Sequence, residues 1–429
     1  MRRLMIIRSD NTFLKRSLPV PALLLFVFLA ALLFADSAAF SGDEVGAQAA
    51  FEQYYNRLNE VLVSATHSPA GQGEEPLNDL IREVLYIDRL APQILQKEWP
   101  KLNQDEREQF KGALVTTIGI DLRKRVVKRD GIRQLPRISF ESKELKERFA
   151  KFTYSFSGSK GKETVTVFML DDGRGIWKVS NMRIERETLL RRYYKKCDNL
   201  VGKYSFAYLI GELMGRGYII LEDFESSEVG KLPKNWTWKS KDNAKNKPYE
   251  IVLENGNKHL AAKDNGESVI IGKNIKWNLK KYPYVSFRWR ASRIPAGGDE
   301  RYGKTNDSAA GIYFIYKKKF GLIPESVKFV WSTTLPVGSA ARRSGTGRPW
   351  VVVAESGAEG LGEWRTYSFN LYEAYKKTFG SEPPDRPIGI GLLSDANSTK
   401  SSAYADYDDI LALKQADADS GVKQHLKAE

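Results

Sequence analysis

Phe152-Thr153-Tyr154-Ser155-Phe156-Ser157-Gly158-Ser159-Lys160-Gly161-Lys162-Glu163-Thr164-Val165-Thr166-Val167-Phe168-Met169 is where the chain changes period. Phe152, Tyr154 and Phe156 alternate with small polar residues, Ser157–Lys162 is a Gly-rich turn, and Val165, Val167 and Met169 alternate again on the return. Alternation at a spacing of two places one set of side chains on one face of a strand, so this is an antiparallel hairpin. Phe168 and Leu170 make its far end apolar on both faces. Asp171-Asp172-Gly173 turns into a further strand carrying Trp177 and Val179, and a helix comes next with Leu189, Leu190, Tyr193, Tyr194, Cys197 and Val201.

Upstream the period is helical. Phe51, Tyr54, Tyr55, Leu58, Val61 and Leu62 share one face. Leu77, Leu80, Ile81, Val84, Leu85, Ala91, Ile94 and Leu95 stripe a second helix, in which Pro92 predicts a kink. A third begins at an Asn103/Glu106 cap and buries Phe110, Leu114, Ile118, Leu122 and Val126. Helices first and a curved antiparallel sheet second predict an α+β half-cone with a helical layer, whose concave face can hold a pocket.

Gly161-Lys162 is not a nucleotide loop. Phe156 stands at the place of its first glycine and Glu163 at the place of the magnesium-binding Ser or Thr.

Gly175-Ile176-Trp177-Lys178-Val179 through Thr188-Leu189-Leu190-Arg191-Arg192-Tyr193 resembles the closing segment of the MlaC/toluene-tolerance family of periplasmic phospholipid-binding proteins. Gly175, Trp177, Val179, Thr188, Leu189 and Tyr193 fall on the family pattern without a gap. Asn181, Arg186, Arg192, Tyr194 and Cys197 depart from it. Arg107 and Phe110 resemble a second, shorter family segment. The resemblance implies a carrier that shelters acyl chains between sheet and helices and works with an inner-membrane lipid ABC transporter of the MCE type. The candidate lipid-binding residues are Phe110, Leu114, Ile118, Leu122, Phe152, Tyr154, Phe156, Val165, Val167, Met169, Trp177 and Val179. Any one of them taken singly better suits a closed, filled core, and the lipid-binding reading rests on the set.

The N-terminus carries Arg2, Arg3, Arg8, Lys15 and Arg16 ahead of an unbroken apolar run from Ala22 to Ala35, with small residues Ser37 and Ala39 beyond. A run this short reads as a signal peptide, residues 1–39, cut before Phe40, and predicts a periplasmic protein; an uncleaved anchor is the alternative. Cys197 is the only cysteine of the 429 residues, so no intrachain disulfide and no cysteine-based zinc site can form. His67, His259 and His425 stand in dissimilar contexts, against a His-rich metal site or a His-based triad. Nucleophile–base signatures are missing, so no catalytic residue, cofactor or metal is expected.

The net charge of +14 is concentrated after residue 110. Arg123, Lys124, Arg125, Lys128 and Arg129 form one basic cluster, and Arg191, Arg192, Lys195 and Lys196 another. Each suits a solvated helix face. The functional reading is docking to anionic head groups or an acidic partner rather than to nucleic acid, which an exported protein rarely meets.

Residues 40–216 are thus the expected lipid-binding domain. From Gly217 the chain is nearly all short strands and turns, predicting an all-β, jelly-roll-like antiparallel sandwich over 217–414 and a disordered tail over 415–429. Only Glu373–Phe379 reads as helix there. Asp223-Phe224-Glu225 and Tyr407-Asp408-Asp409-Ile410 resemble the ends of galactose-binding-like and carbohydrate-binding sandwiches. Tyr282–Arg290 with Asp299, Asp307, Trp331, Gly357 and Trp364 resembles an uncharacterised bacterial domain of unknown function. Glu225, Asp408 and Asp409 could hold a calcium ion or be solvated turn carboxylates. Trp289 and Trp331 read as core. The leading expectation is a non-enzymatic phospholipid carrier with a sandwich for a glycan or protein partner. An envelope glycan-binding protein comes second and an envelope hydrolase last.

Overall fold

The computed structural model describes residues 42–67, 74–128, 131–132, 138–158, 161–184, 186–238, 247–319 and 323–415. The expected leader and residues 416–429 of the tail lie outside them. The chain divides into two compact units, Met1–Cys197 and Asp198–Glu429.

The first unit opens with α1 (Gly42–His67), α2 (Glu74–Val84), α3 (Ile87–Leu95), a 3₁₀ turn (Gln96–Lys101) and α4 (Gln104–Val126). The break in the second predicted helix falls at Leu85-Tyr86 rather than at Pro92. Leu85 bridges to Val179, and the Tyr86 N–H donates to the Val179 carbonyl at 2.9 Å, so a strand takes the bonds that would have continued the helix. Pro92 lies inside α3. The predicted cap of α4 is present in both directions. The Glu106 N–H donates to Asn103 Oδ1 and the Asn103 N–H to Glu106 Oε2, each at 3.0 Å.

After a small hairpin of β1 (Val127–Lys128) and β2 (Gly131–Ile132), the strands β3 (Ile138–Lys146), β4 (Phe149–Gly158), β5 (Gly161–Asp171), β6 (Trp177–Ile184) and β7 (Glu187–Thr188) form one antiparallel sheet in sequence order. Phe152 pairs with Val167 and Tyr154 with Val165, and the pairing continues to Gly158 and Gly161 inside the expected turn. A bulge between Phe168 and Met169 leaves Met169 opposite Val179 on the buried face. α5 (Leu189–Asp198) closes the unit, with the Arg191 N–H donating to Thr188 Oγ1 and the Leu190 N–H to Asn181 Oδ1. Side chains of β6 and β7 therefore satisfy the start of this helix.

The second unit begins with α6 (Phe206–Leu213), ahead of the boundary expected near Gly217. The helix belongs with the strands of this unit because Tyr208 stacks on Tyr204 and meets Tyr282 edge-on, and Glu212 accepts the Tyr282 hydroxyl at 2.7 Å. The strands are β8 (Tyr218–Glu222), β9 (Thr237–Trp238), β10 (Tyr249–Glu254), β11 (Asn257–Asp264), β12 (Ile271–Asn274), β13 (Tyr284–Arg293), β14 (Ala310–Lys319), β15 (Ile323–Ser332), β16 (Ala340–Ala341), β17 (Trp350–Ser356), β18 (Arg365–Asn370), β19 (Gly389–Leu392) and β20 (Ala403–Leu413), with α7 (Leu371–Phe379) between β18 and β19.

One sheet runs β10-β11-β20-β13-β18, with β8 on β20; the other runs β16-β17-β15-β14-β19-β12-β9. The second sheet is mixed, not purely antiparallel, since β15 and β17 run parallel. The loop between them carries the chain back across the sheet through β16, so β17 enters in the direction of β15. Trp277, Trp289, Trp331, Phe287, Phe314, Phe329 and Tyr407 fill the interior between the sheets. Among the described residues no helix is long and apolar enough to cross a membrane.

Candidate functional site

All twelve residues expected to line a lipid cavity are buried. Eight of them, from Phe152 to Val179, stand on one face of β4, β5 and β6, as the register requires. That face meets the helices through the contacts of β6 with α1, α2 and α3. Phe110, Leu114, Ile118 and Leu122 stripe α4, which packs on α2 and α3. Tyr154 sits in an aromatic nest, 5.5 Å from Phe51 and 5.8 Å from Phe140. Its hydroxyl is buried with no hydrogen-bond partner among the described residues, and burial pushes the phenol well above its ordinary pKa.

The basic cluster on α5 splits in two. Arg192 and Lys196 turn towards Asp121 of α4, at 4.0 and 3.8 Å, and Lys196 donates to Thr117 Oγ1 at 2.7 Å. Arg191 and Lys195 are exposed. Of the other cluster, Arg123 is half-buried and Lys124 exposed; Arg129 lies outside the described residues.

In the second unit the carboxylates expected as calcium ligands are engaged by protein groups. Asp408 accepts from Arg288 at 3.0 Å and Asn257 at 2.9 Å, and Arg288 also reaches Asp409 at 3.5 Å. Glu225 accepts the Lys258 N–H. Asp299 pairs with Arg301, Glu300 accepts the Ser332 hydroxyl, and Asp307 accepts the Ser398 and Thr399 N–H groups. Trp364 is held between Arg288 and Arg290, whose guanidinium carbons lie 4.7 and 4.8 Å from its ring centre.

The sequence reading missed a cleft of about 540 Å³ on the outer face of the mixed sheet. Its floor is set by the register. Thr237, Gly272, Gly391, Tyr313, Lys328 and Val351 stand side by side on β9, β12, β19, β14, β15 and β17; Asn274, Gly389, Ile315 and Ser326 form the next row. Three glycines therefore leave the middle of the floor without side chains. Trp238 stands at one edge, and the loop carrying Arg343, Gly347, Arg348 and Pro349 at the other.

Among the described residues every charged one lining this cleft is cationic: Lys273, Lys328, Arg343 and Arg348. Lys273 is committed to Glu222, at 2.8 Å, and to the Leu221 carbonyl. Lys328 is buried, donates to Ser308 Oγ at 3.2 Å and lies 5.3 Å above the Tyr313 ring. Burial and then the neighbouring Arg348 lower the pKa of Arg343. The signals were present: Lys328 interrupts the run Val327 to Trp331, and Gly389-Ile390-Gly391-Leu392 alternates glycine with core residues. A strand glycine marks a place where something approaches the backbone closely.

Residues 234–411 match a family described as a protein of unknown function (DUF3047). Among solved structures, the chain is similar to a phospholipid-binding protein from Ralstonia solanacearum, determined with a phospholipid bound. The two are 13% identical with a TM-score of 0.30, over 39% of this chain and 94% of that one. It is also similar to TmCBM27, a carbohydrate-binding module studied for specific mannan recognition, at 15% identity and a TM-score of 0.19, over 46% of this chain and 99% of that one. No curated protein matches the sequence.

Proposed function

We propose that this chain is an exported, non-enzymatic phospholipid carrier whose first unit takes acyl chains between the sheet and the helices and exchanges them with a membrane lipid transporter. The observation that carries the reading is Tyr154. An apolar sheet face, contributed by three adjacent strands, surrounds a buried hydroxyl that no group among the described residues satisfies. An ester or phosphate oxygen of a lipid would accept that proton while the chains cover the neighbouring Phe152, Val165 and Val167. The energetics suit enclosure, because each methylene removed from water contributes about 0.8 kcal/mol.

Native mass spectrometry of the mature chain, purified from a periplasm, tests the reading. The expected spectrum contains a stoichiometric two-chain phospholipid, with reduced occupancy in Tyr154→Phe. A folded chain that carries no lipid, and takes none from vesicles, overturns it.

A second reading, glycan binding by the second unit, is favoured by the glycine-floored cleft. Its Asn274, Asn306, Ser326 and Thr237 side chains can donate to and accept from hydroxyl groups, and Tyr313 supplies aromatic surface.

A further inference from the structure

Packing does not demand glycine at two of the three floor positions. A Cβ built on Gly272 would meet nothing closer than the Ile390 carbonyl at 3.6 Å, and one on Gly391 nothing closer than 3.4 Å, both ordinary contacts. Neither glycine has a positive φ. Glycine inside a strand costs backbone entropy and leaves a face unpacked, so the open floor is a property of the surface rather than of the fold. Only Gly389 is held to glycine by its neighbours, since its Cβ would stand 2.8 Å from the Lys273 carbonyl.

The charge of the cleft is as selective as its shape. Among the described residues no acidic residue lines it and no carboxylate pairs with Arg343 or Arg348, although the buried Asp395 acts electrostatically on both Lys328 and Arg343. Lys328 is kept in place at the floor by Ser308 and Tyr313. Three cations thus converge on a bed bordered by amides, hydroxyls and the Tyr313 ring. A planar guanidinium pairs bidentately with a carboxylate or phosphate, and the amides and hydroxyls match the alternating donors and acceptors of a sugar. The volume is within the range of small-ligand sites.

We propose that this cleft binds an acidic saccharide, with a sugar ring over Gly272 and Gly391 and its carboxylate or phosphate group between Lys328, Arg343 and Arg348. The proposal rests on the glycan-binding reading of the second unit and is independent of the lipid reading of the first.

Titration calorimetry of the mature full-length chain tests it with four probes: a uronic-acid oligosaccharide, a sugar phosphate, a neutral oligosaccharide of equal length and vesicles of an anionic phospholipid. The uronate oligomer or the sugar phosphate should bind, more weakly as salt rises, and the neutral sugar should bind about tenfold more weakly or less, the loss of one charge-assisted bond. Whichever acidic probe binds identifies the charged group as carboxylate or phosphate. Arg343→Ala and Arg348→Ala, both on a surface loop, should each weaken the acidic ligand severalfold. Gly272→Val, which puts a branched side chain on the floor at a position where a Cβ fits, should abolish binding in a chain that still melts cooperatively. Equal affinity for neutral and acidic sugars with silent arginine variants overturns the acidic assignment and leaves the glycan reading standing. No saccharide binding, or binding of vesicles alone, overturns both.

Discussion

Lys328 occupies the space that a side chain on Gly311 would fill: a Cβ at residue 311 would stand 2.3 Å from Lys328 Cε and 3.0 Å from the Leu393 carbonyl. The two residues are near neighbours on the antiparallel strands β14 and β15, where Gly311 pairs with Val330 and Lys328 with Tyr313. An ammonium that is only 2% exposed needs such a fixed slot, because its charge is costly away from water. Glycine here orients a cation at the floor of the cleft.

Gly311→Ala should therefore expel Lys328 from its slot. The expected cost is about 1–3 kcal/mol, the usual range for overfilling a packed position, with loss of the Ser308 hydrogen bond. Urea denaturation measures the stability term. A crystal structure of the variant in which Lys328 has not moved would refute the account of the slot.

The two halves of the α5 basic cluster should respond differently to charge reversal. Lys196→Glu places a carboxylate beside Asp121 and removes the bond to Thr117, so it should cost about 1 kcal/mol of stability. Arg191→Glu with Lys195→Glu changes exposed positions only and should stay within about 0.5 kcal/mol. If the exposed pair guides the protein to anionic membranes, the double variant should also slow lipid exchange with anionic vesicles at low salt. Exchange that is indifferent to both salt and reversal would leave Arg191 and Lys195 as solvated surface.

The parts of the fold legible in the sequence were those where one periodicity acts alone. The Phe152–Met169 hairpin and β20 (Ala403–Leu413) show it, as does the Asn103/Glu106 cap, whose chemistry is local. The break at Leu85 was hidden because a strand far along the chain, at Val179, supplies the competing bond. β11 (Asn257–Asp264) was missed because Asn257, Lys258 and His259 open it with polar residues, although His259 is buried. The cleft was invisible for a related reason. Its residues come from six strands and several loops, and its most telling feature is the absence of side chains at Gly272 and Gly391, which carries no pattern until the register is known.

The reciprocal cap of α4 gives a stability prediction. Asn103→Ala should cost about 1 kcal/mol, the ordinary value of a side-chain cap. Because Asn103 and Glu106 satisfy one another's backbone, the double variant with Glu106→Ala should cost less than the two single losses added together. Chemical denaturation of the four species closes the cycle. Strict additivity would mean that the two bonds do not act as a unit.

His259 gives the pH dependence. It is buried, its Nδ1 has no hydrogen-bond partner, Nε2 lies 3.9 Å from Asp406, and Trp364 meets the ring edge-on at 5.3 Å. Its pKa is lowered, chiefly by burial. Asp406 and Glu254 oppose that shift, and Arg290 and Arg288 add to it. In the unfolded chain the same imidazole takes up a proton below about pH 6.5. The unfolded state thus binds more protons just below that value, and stability should be full above pH 6.5 and decline as the pH falls beneath it. His259→Phe keeps an aromatic ring against Trp364 and cannot titrate, so it should lose this part of the decline. Urea midpoints at pH 7.5 and 5.5 for both proteins make the test. An equal fall in the two would show that His259 does not couple folding to pH.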